Sequence, residues 1–365
     1  MGTLEARDSY RVIQWATGNV GKAAIRHFAG NPFFDLAGVL VFDAGKVGMD
    51  AGEIAGIGPI GVPTTDDIDA IMGLDADCVL YAPIWLDVEA VCRLLRSGKN
   101  VVSTSGPFYR TEFTGDDFDR IEAACSEGNA SFHGGGVHPG FAGDLLALTL
   151  ARLSSSISTI HVYEVVDFGT DPSKYLLLMG MGQEPAEFAS ATSLLAASTP
   201  YFAQSMTEIV EGLGKQIDQI THEVAVTEAT EDVAYSGDQG TDMPEMSGTI
   251  RKGTVAAQHH QWTAFVDGEP LVVFHAMYTM GDRVVGPDFQ FGATRYRLVI
   301  EGEPPTELTL EGGVAADGSR THPGYVWTAM DAANTIPAVV QAKAGVLTDF
   351  DLGVVQPKGL VRGDK

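Results

Sequence analysis

From residue 11 to residue 142, short apolar runs alternate with stretches whose apolar positions recur every three or four residues. The runs predict strands at 11–15, 36–42, 77–82, 100–104 and 130–134. The periodic stretches predict helices at 20–29, 66–72, 86–97 and 113–128. Strand and helix in rotation imply a parallel sheet with helices on both faces. The rhythm then changes. One long apolar helix is predicted at 141–153, followed by extended runs at 159–166, 222–227, 249–266, 271–280 and 294–301. Several alternate apolar and polar residues, as an antiparallel sheet with one wet face does. Asp267-Gly268 between two of these runs predicts a tight hairpin. Helices at 185–197 and 200–213 interrupt the set, 230–248 reads as a mobile surface loop, and a final helix at 324–343 is expected to pack back onto the first domain.

The fold class that follows is α/β: a Rossmann-type doubly wound parallel sheet and a second, α+β domain on a largely antiparallel sheet. The expected domains are 1–142, completed by 323–365, and 143–322. The chain has 365 residues, 45% of them hydrophobic, enough for two cores. Its net charge of −25 argues against nucleic acid as a partner. An anionic cofactor would therefore depend on local donors. No apolar run is long enough to span a membrane, and residues 1–8 carry no basic head followed by an apolar stretch. Cys78, Cys92 and Cys125 are odd in number and widely spaced, which suits a reduced, cytoplasmic protein without a zinc site.

The most specific local pattern is Val12 to Trp15, then Ala16-Thr17-Gly18-Asn19-Val20-Gly21, then an amphipathic stretch. It is a dinucleotide-binding fingerprint with Ala at the first glycine position. The first helical turn offers free N–H groups to a pyrophosphate, Gly18 lets backbone approach it, and Gly21 lets the helix pack on the strand. Ala16 costs little if its φ is negative. Asp43 ends the second strand about twenty residues on, where a carboxylate meets the adenosine ribose of NAD. Lys46 just beyond it could reach a 2′-phosphate, so the cofactor is NAD or NADP, with NAD favoured. A bare strand-turn-helix with an Asp cap is the alternative.

Four segments carry a family resemblance: 15–21, 46–53, Gly136-Val-His138-Pro139-Gly140-Phe141, and Ala329-Met-Asp-Ala-Ala-Asn334. In order and spacing, across nearly the whole chain, they resemble the dihydrodipicolinate-reductase-like NAD(P)-dependent oxidoreductases, in particular the branch with 2,4-diaminopentanoate dehydrogenase and the native amine dehydrogenases. The resemblance implies hydride transfer between a nicotinamide and a C=O or C=N carbon, and usually a homodimer. It implies that Tyr81, Ala82 and Pro83, with Ser103, Thr104 and Ser105, line the cofactor. His138, Pro139 and Gly140 match a segment near the nicotinamide, and Asn334 the residue that reaches its carboxamide. The chain departs from the pattern twice. Residues 161–168 lack the lysine and Ser-Gly-Thr loop of dihydrodipicolinate reductase. Residues 101–109 lack the glutamate that amine dehydrogenases carry after the fifth strand; the next carboxylate is Glu112.

Hydride transfer needs orientation, an apolar pocket and a proton source. His138, Glu164 and Tyr109 are the candidates. His138 suits proton exchange at neutral pH, and equally a structural role at the domain hinge. Glu164 and Asp167 cannot both face one side of a regular strand. Glu164 sits among valines, so facing inward it would hold a substrate amine or act as the acid. Tyr163 and Tyr175 are further phenols, more simply read as packing residues. His259, His260 and His275 do not form a metal site, because neighbours on a strand diverge. Met179, Met181 and Met206 shape either a pocket or a core. The expectation is an oxidoreductase acting on a small, fairly apolar amine, ketone or alcohol. The alternatives are a catalytically silent nucleotide-binding sensor or interaction protein and, more weakly, a racemase or lyase. Gln258 to Trp262 are expected to lie on a sheet face that forms a homodimer.

Overall fold

The computed structural model describes residues 9–169, 175–188, 198–237, 246–281, 284, 294–314 and 323–361. The chain divides into two compact units, Met1–Phe141 with Tyr325–Lys365, and Ala142–Gly324.

The first unit holds strands β1 (Tyr10–Trp15), β2 (Phe34–Leu40), β3 (Thr64–Thr65), β4 (Cys78–Tyr81), β5 (Asn100–Ser103) and β6 (Ser131–Gly134), joined by the late strand Gly345–Leu347. All pair in parallel, in the order Gly345–Leu347, β6, β5, β4, β1, β2, β3. Adjacent strand residues bury opposite ways. Val12, Val39, Leu80 and Val102 pack with the helices Asn19–Gly30 and Pro323–Gln341, through Ala24, Ala332 and Ile336. Ile13, Leu40, Val79 and Val101 pack with Val88–Arg96 and Gly115–Gly128, through Leu94 and Ile121. Chain order runs outward from β1 in both directions, so β1 and β4 flank the switch point, where such sheets bind ligands at the strands' carboxyl ends.

The second unit holds β7 (Ser156–Asp167), β8 (Gln219–Glu228), β9 (Val233–Gly237), β10 (Met246–Ile250), β11 (Val255–Val266), β12 (Glu269–Thr279), β13 (Arg295–Glu303) and β14 (Thr306–Glu311). Six of them form a mixed sheet in the order β14-β13-β7-β12-β11-β8, antiparallel except for β7 and β12. On one face Ile160, Val162, Phe274, Ala276, Trp262 and Leu298 pack against Phe202, Met206, Ile209 and Val210 of the helix Thr199–Gly212. Asp267 and Gly268 both take positive φ, 54° and 82°, in the β11–β12 hairpin.

Several elements differ from the sequence expectation. The run 249–266 is two strands, because Gly253, at φ 82°, turns the chain between them. Within 230–248, β9 and β10 pair as antiparallel strands rather than forming a loop, and 238–245 lie outside the described residues. The helix expected at 141–153 is a π-turn, Phe141–Leu145, running into Leu146–Ala151. The one expected at 185–197 is described only as Pro185–Phe188; 189–197 lie outside the described residues. β3, β14 and Gly345–Leu347 are strands that the hydrophobic pattern does not announce.

Candidate active site

The Ala16–Gly21 loop leaves the end of β1 at the switch point. Ala16 has φ 77°, in the left-handed region, which corrects the expectation of a negative φ. For a residue with a Cβ that conformation costs about 1 kcal/mol. The turn is braced from beneath. Gln14, fully buried, donates its amide to the Ala16 carbonyl at 2.9 Å and to that of Trp15 at 3.2 Å. Gly21 has no room for a side chain, whereas a Cβ on Gly18 would meet nothing within 4 Å. Thus one glycine closes the loop against the strand and the other leaves its outer side open. Gly18 caps the helix Asn19–Gly30 without a side-chain hydrogen bond, so no capping side chain covers the first-turn N–H groups of Asn19 and Val20.

Asp43 follows β2, and its carboxylate accepts from the Gly45 N–H at 2.8 Å, holding the short turn Ala44–Lys46. That turn sends Lys46 back to the loop: its Nζ donates to Thr17 Oγ1 at 3.2 Å, and the side chain is buried. Burial, with Lys22 close by, lowers this ammonium to about 8, opposed by Asp43. The rest of the 46–53 segment is architectural. Asp50 accepts from Gly52, Ile60 and Gly61, and these N–H donors, Ile60 first, hold its carboxyl below the usual range.

The other expected cofactor contacts fall into two groups. Tyr81 is buried against Trp15, ring centroids 5.7 Å apart, and its hydroxyl accepts from the Asp87 N–H. Ser103 is fully buried and donates to the Gly106 carbonyl at 2.7 Å. Both side chains serve the scaffold. Ala82, Pro83, Thr104 and Ser105 are half-buried at the same strand ends, with the Ser105 hydroxyl donating to the Pro83 carbonyl. His138 is half-buried before a cis bond to the buried Pro139. Beside it, the Val137 N–H donates to Thr328 Oγ1 of the Pro323–Gln341 helix at 3.3 Å. Further along that helix, Asn334 Oδ1 is buried with no hydrogen-bond partner among the described residues. Tyr109 is half-buried, and its carbonyl accepts from Thr114 Oγ1. Glu112 is exposed.

In the second unit, Glu164 lies on the helix-covered sheet face, cross-strand from Tyr296 on β13 and Ala276 on β12. The Tyr278 hydroxyl donates to its carboxylate. Burial first, and then the Glu164 charge, raise the phenols of Tyr278 and Tyr296 well above the usual range, so both stay protonated as donors. Asp167 faces the other way and accepts from the Gly169 and Gly281 N–H groups at 2.8 and 2.9 Å. Tyr163 stacks on His275 at 4.2 Å, Tyr175 opens the helix Tyr175–Leu178, and Met179, Met181 and Met206 are core. Sequence reasoning misses Gln14, Tyr278 and Tyr296. Only Gln14 carries a signal there, as a polar residue inside an apolar strand.

Residues 141–362 match the family model of the 2,4-diaminopentanoate dehydrogenase C-terminal domain. The chain belongs to this family. It is 31% identical over 363 residues to an amine dehydrogenase of Streptomyces virginiae, covering 93% of this chain and 95% of that protein. A shorter match, 40% over 68 residues, covers 19% of the chain and 24% of a 4-hydroxy-tetrahydrodipicolinate reductase of Archaeoglobus fulgidus. In fold it resembles an amine dehydrogenase structure from Mycobacterium smegmatis, with TM-score 0.75, 18% identity and coverage of 98% and 99% of the two chains. The chain is accordingly an NAD(P)-dependent oxidoreductase of the amine dehydrogenase type. No described helix is long and apolar enough to cross a membrane.

Proposed function

We propose that the chain interconverts a small, fairly apolar amine and its ketone, or an alcohol and its ketone, by hydride transfer with NAD or NADP. On the amine path, loss of the hydride leaves an imine, which takes up water and releases ammonia to give the ketone. The open space over Gly18, on a loop closed beneath by Gly21 and Gln14, carries this reading. The residues fit the cofactor: Thr17 to Gly21 offer N–H groups to the pyrophosphate, and the Asp43 carboxylate suits the ribose hydroxyls. Lys46 adds a cation at Thr17. Asn334 Oδ1 is an acceptor in search of a donor, which a carboxamide NH2 provides, and Pro139 lies in the segment that meets Thr328 of the same helix. NAD is the favoured form, because Asp43 opposes a 2′-phosphate. When bound, the nicotinamide accepts or supplies the hydride.

The chain itself must then move one proton. With no carboxylate at 103–109, Glu164 is the carboxylate best placed by its own surroundings, where a phenol donates to it and apolar neighbours leave an ammonium as its natural counter-charge. His138 and Tyr109 are the other candidate proton groups. A silent nucleotide-binding protein is the second reading, favoured by that same missing carboxylate. Turnover of a panel of C3 to C8 primary amines with NAD+ and NADP+, read at the reduced nicotinamide absorbance, decides. Cofactor binding with no turnover of any amine, ketone or alcohol supports the second reading, and loss of cofactor binding overturns both.

A further inference from the structure

The inner face of the second unit's sheet is apolar except in a few places, and one of those has the composition of a cation site. Glu164 stands opposite Tyr296, and Tyr278 lies on β12 opposite Val166, two residues along β7. Tyr201 reaches the same cluster from the helix Thr199–Gly212, close enough for its phenol to act electrostatically on both other tyrosines. Tyr296 and Tyr278 are buried, Glu164 is half-buried, and Tyr201 is 37% exposed, so Tyr201 is the member of the cluster nearest solvent. Phe168 packs against Tyr278 at 5.7 Å and backs the cluster with a further ring.

We infer that Glu164, Tyr201, Tyr278 and Tyr296 form a binding site for an organic ammonium, one carboxylate facing the cation and phenol rings around it. A carboxylate on an apolar face repels anions and gives a neutral ketone little, but pairs with an ammonium. Aromatic faces attract the same cation and leave the apolar tail in contact with carbon. The protonated phenols can donate to the carboxylate without competing for the cation's N–H groups. The chain's net charge of −25 gathers cations around the molecule. This rests on the amine dehydrogenase reading and assigns to Glu164 and its three tyrosines the hold on the nitrogen end of the substrate, in the second unit and whether or not the cofactor is present.

The test is calorimetric titration of the full, cofactor-free chain with methylammonium through hexylammonium chlorides, and with 1-butanol as an uncharged match to butylammonium. At least one ammonium should bind, and butylammonium more tightly than butanol. Glu164→Gln should weaken the ammonium about tenfold or more and leave butanol unchanged. Tyr201→Ala, at a helix position open to solvent, should weaken it about threefold, and Tyr201→Phe less. Should Glu164→Gln fail to fold, the two Tyr201 variants carry the test. No binding by any ammonium, equal binding of butylammonium and butanol, or undiminished binding by the variants overturns the inference. NADH titration of the same samples separates the two readings: cofactor bound without ammonium removes only the cation site, and ammonium bound without cofactor removes only the dehydrogenase.

Discussion

A Cβ placed on Gly21 would fall 2.1 Å from the carbonyl oxygen of Ala16. The third position of the fingerprint is therefore fixed by the first, whose positive φ aims that carbonyl at the helix. Gly21→Ala should force the turn open, costing about 1–3 kcal/mol of stability together with cofactor affinity. Gly18→Val should behave differently. Gly18 has φ −68°, open to any residue, and free space beyond it. The variant's melting temperature should match wild type while NADH and NADPH binding fall at least about tenfold. Unchanged binding by Gly18→Val in a fluorescence titration would sink the phosphate-loop assignment.

Cofactor choice should divide between Asp43 and Lys46. Wild type is expected to favour NADH modestly, and Asp43→Ser to move the balance toward NADPH. Lys46→Ala should weaken NADPH about tenfold and NADH less, since the ammonium meets a full charge only in the phosphorylated cofactor. The Lys46 ammonium is depressed to about 8, so it discharges as pH rises through that value. NADPH affinity should then decline above about pH 8 faster than NADH affinity. A wild type that strongly prefers NADPH, or parallel pH profiles for the two cofactors, would contradict this division.

Acid should unfold the second unit through its histidines. Gln258 donates to the Met179 carbonyl, so its Oε1 accepts from His260 Nε2, and with His260 neutral its Nδ1 accepts from His222. Burial favours that neutral His260 in the fold. On the other face His275 sits between His161 and His259, at 3.1 and 3.0 Å. Burial, then neighbouring histidines, depress His260 and His275 to about 3. A folded-state value below the unfolded 6.5 means that the unfolded chain takes up the proton first. Stability is thus intact above about pH 6.5 and lost as pH falls toward about 3, by about 2 kcal/mol for each histidine at pH 5. Urea melts at pH 7 and pH 5 should show it, and His275→Gln should lose less between them. Equal losses in variant and wild type would place the acid sensitivity elsewhere.

What is legible in the sequence depends on the range of the cause. Asp267-Gly268 fixes its own turn, because the two residues must both take positive φ, and β1 to the first helix is equally local. β14 is harder to read. Its Leu308 and Leu310 alternate with the exposed Glu307, Thr309 and Glu311 on an edge strand, where only half of each leucine's neighbourhood is protein and little apolar surface is buried. The grouping of Gln258 to Trp262 on one face is corrected by the period of two. Gln258, His260 and Trp262 point into the helix-covered core, where Trp262 is fully buried and donates to Thr199, and only His259 and Gln261 point outward. The Glu164 cluster draws on four elements spread from residue 164 to residue 296, and Lys46 finds Thr17 across 29 positions. Such meetings depend on strand order, which hydrophobic period does not encode.

The last prediction concerns the outward face of the second unit's sheet. There Tyr163 stacks on His275, Arg297 lies over Tyr163 at 5.3 Å, and His161 and His259 flank the stack, with Val299 opposite His161. Rings, neutral histidines and a valine make a poor solvent face and suit a self-complementary contact about a two-fold axis. The chain should therefore scatter light as a dimer of its 38.7 kDa protomer at micromolar concentration. Val299→Arg should bring a second guanidinium beside Arg297 and its copy, and yield monomers. Trp262→Phe should lower the melting temperature and leave the dimer intact, because that indole faces the helix side. A monomeric wild type would refute the dimer. A Val299→Arg protein that stays dimeric would move the contact to another surface, and dissociation by Trp262→Phe alone would tie assembly to the core rather than to the outer face.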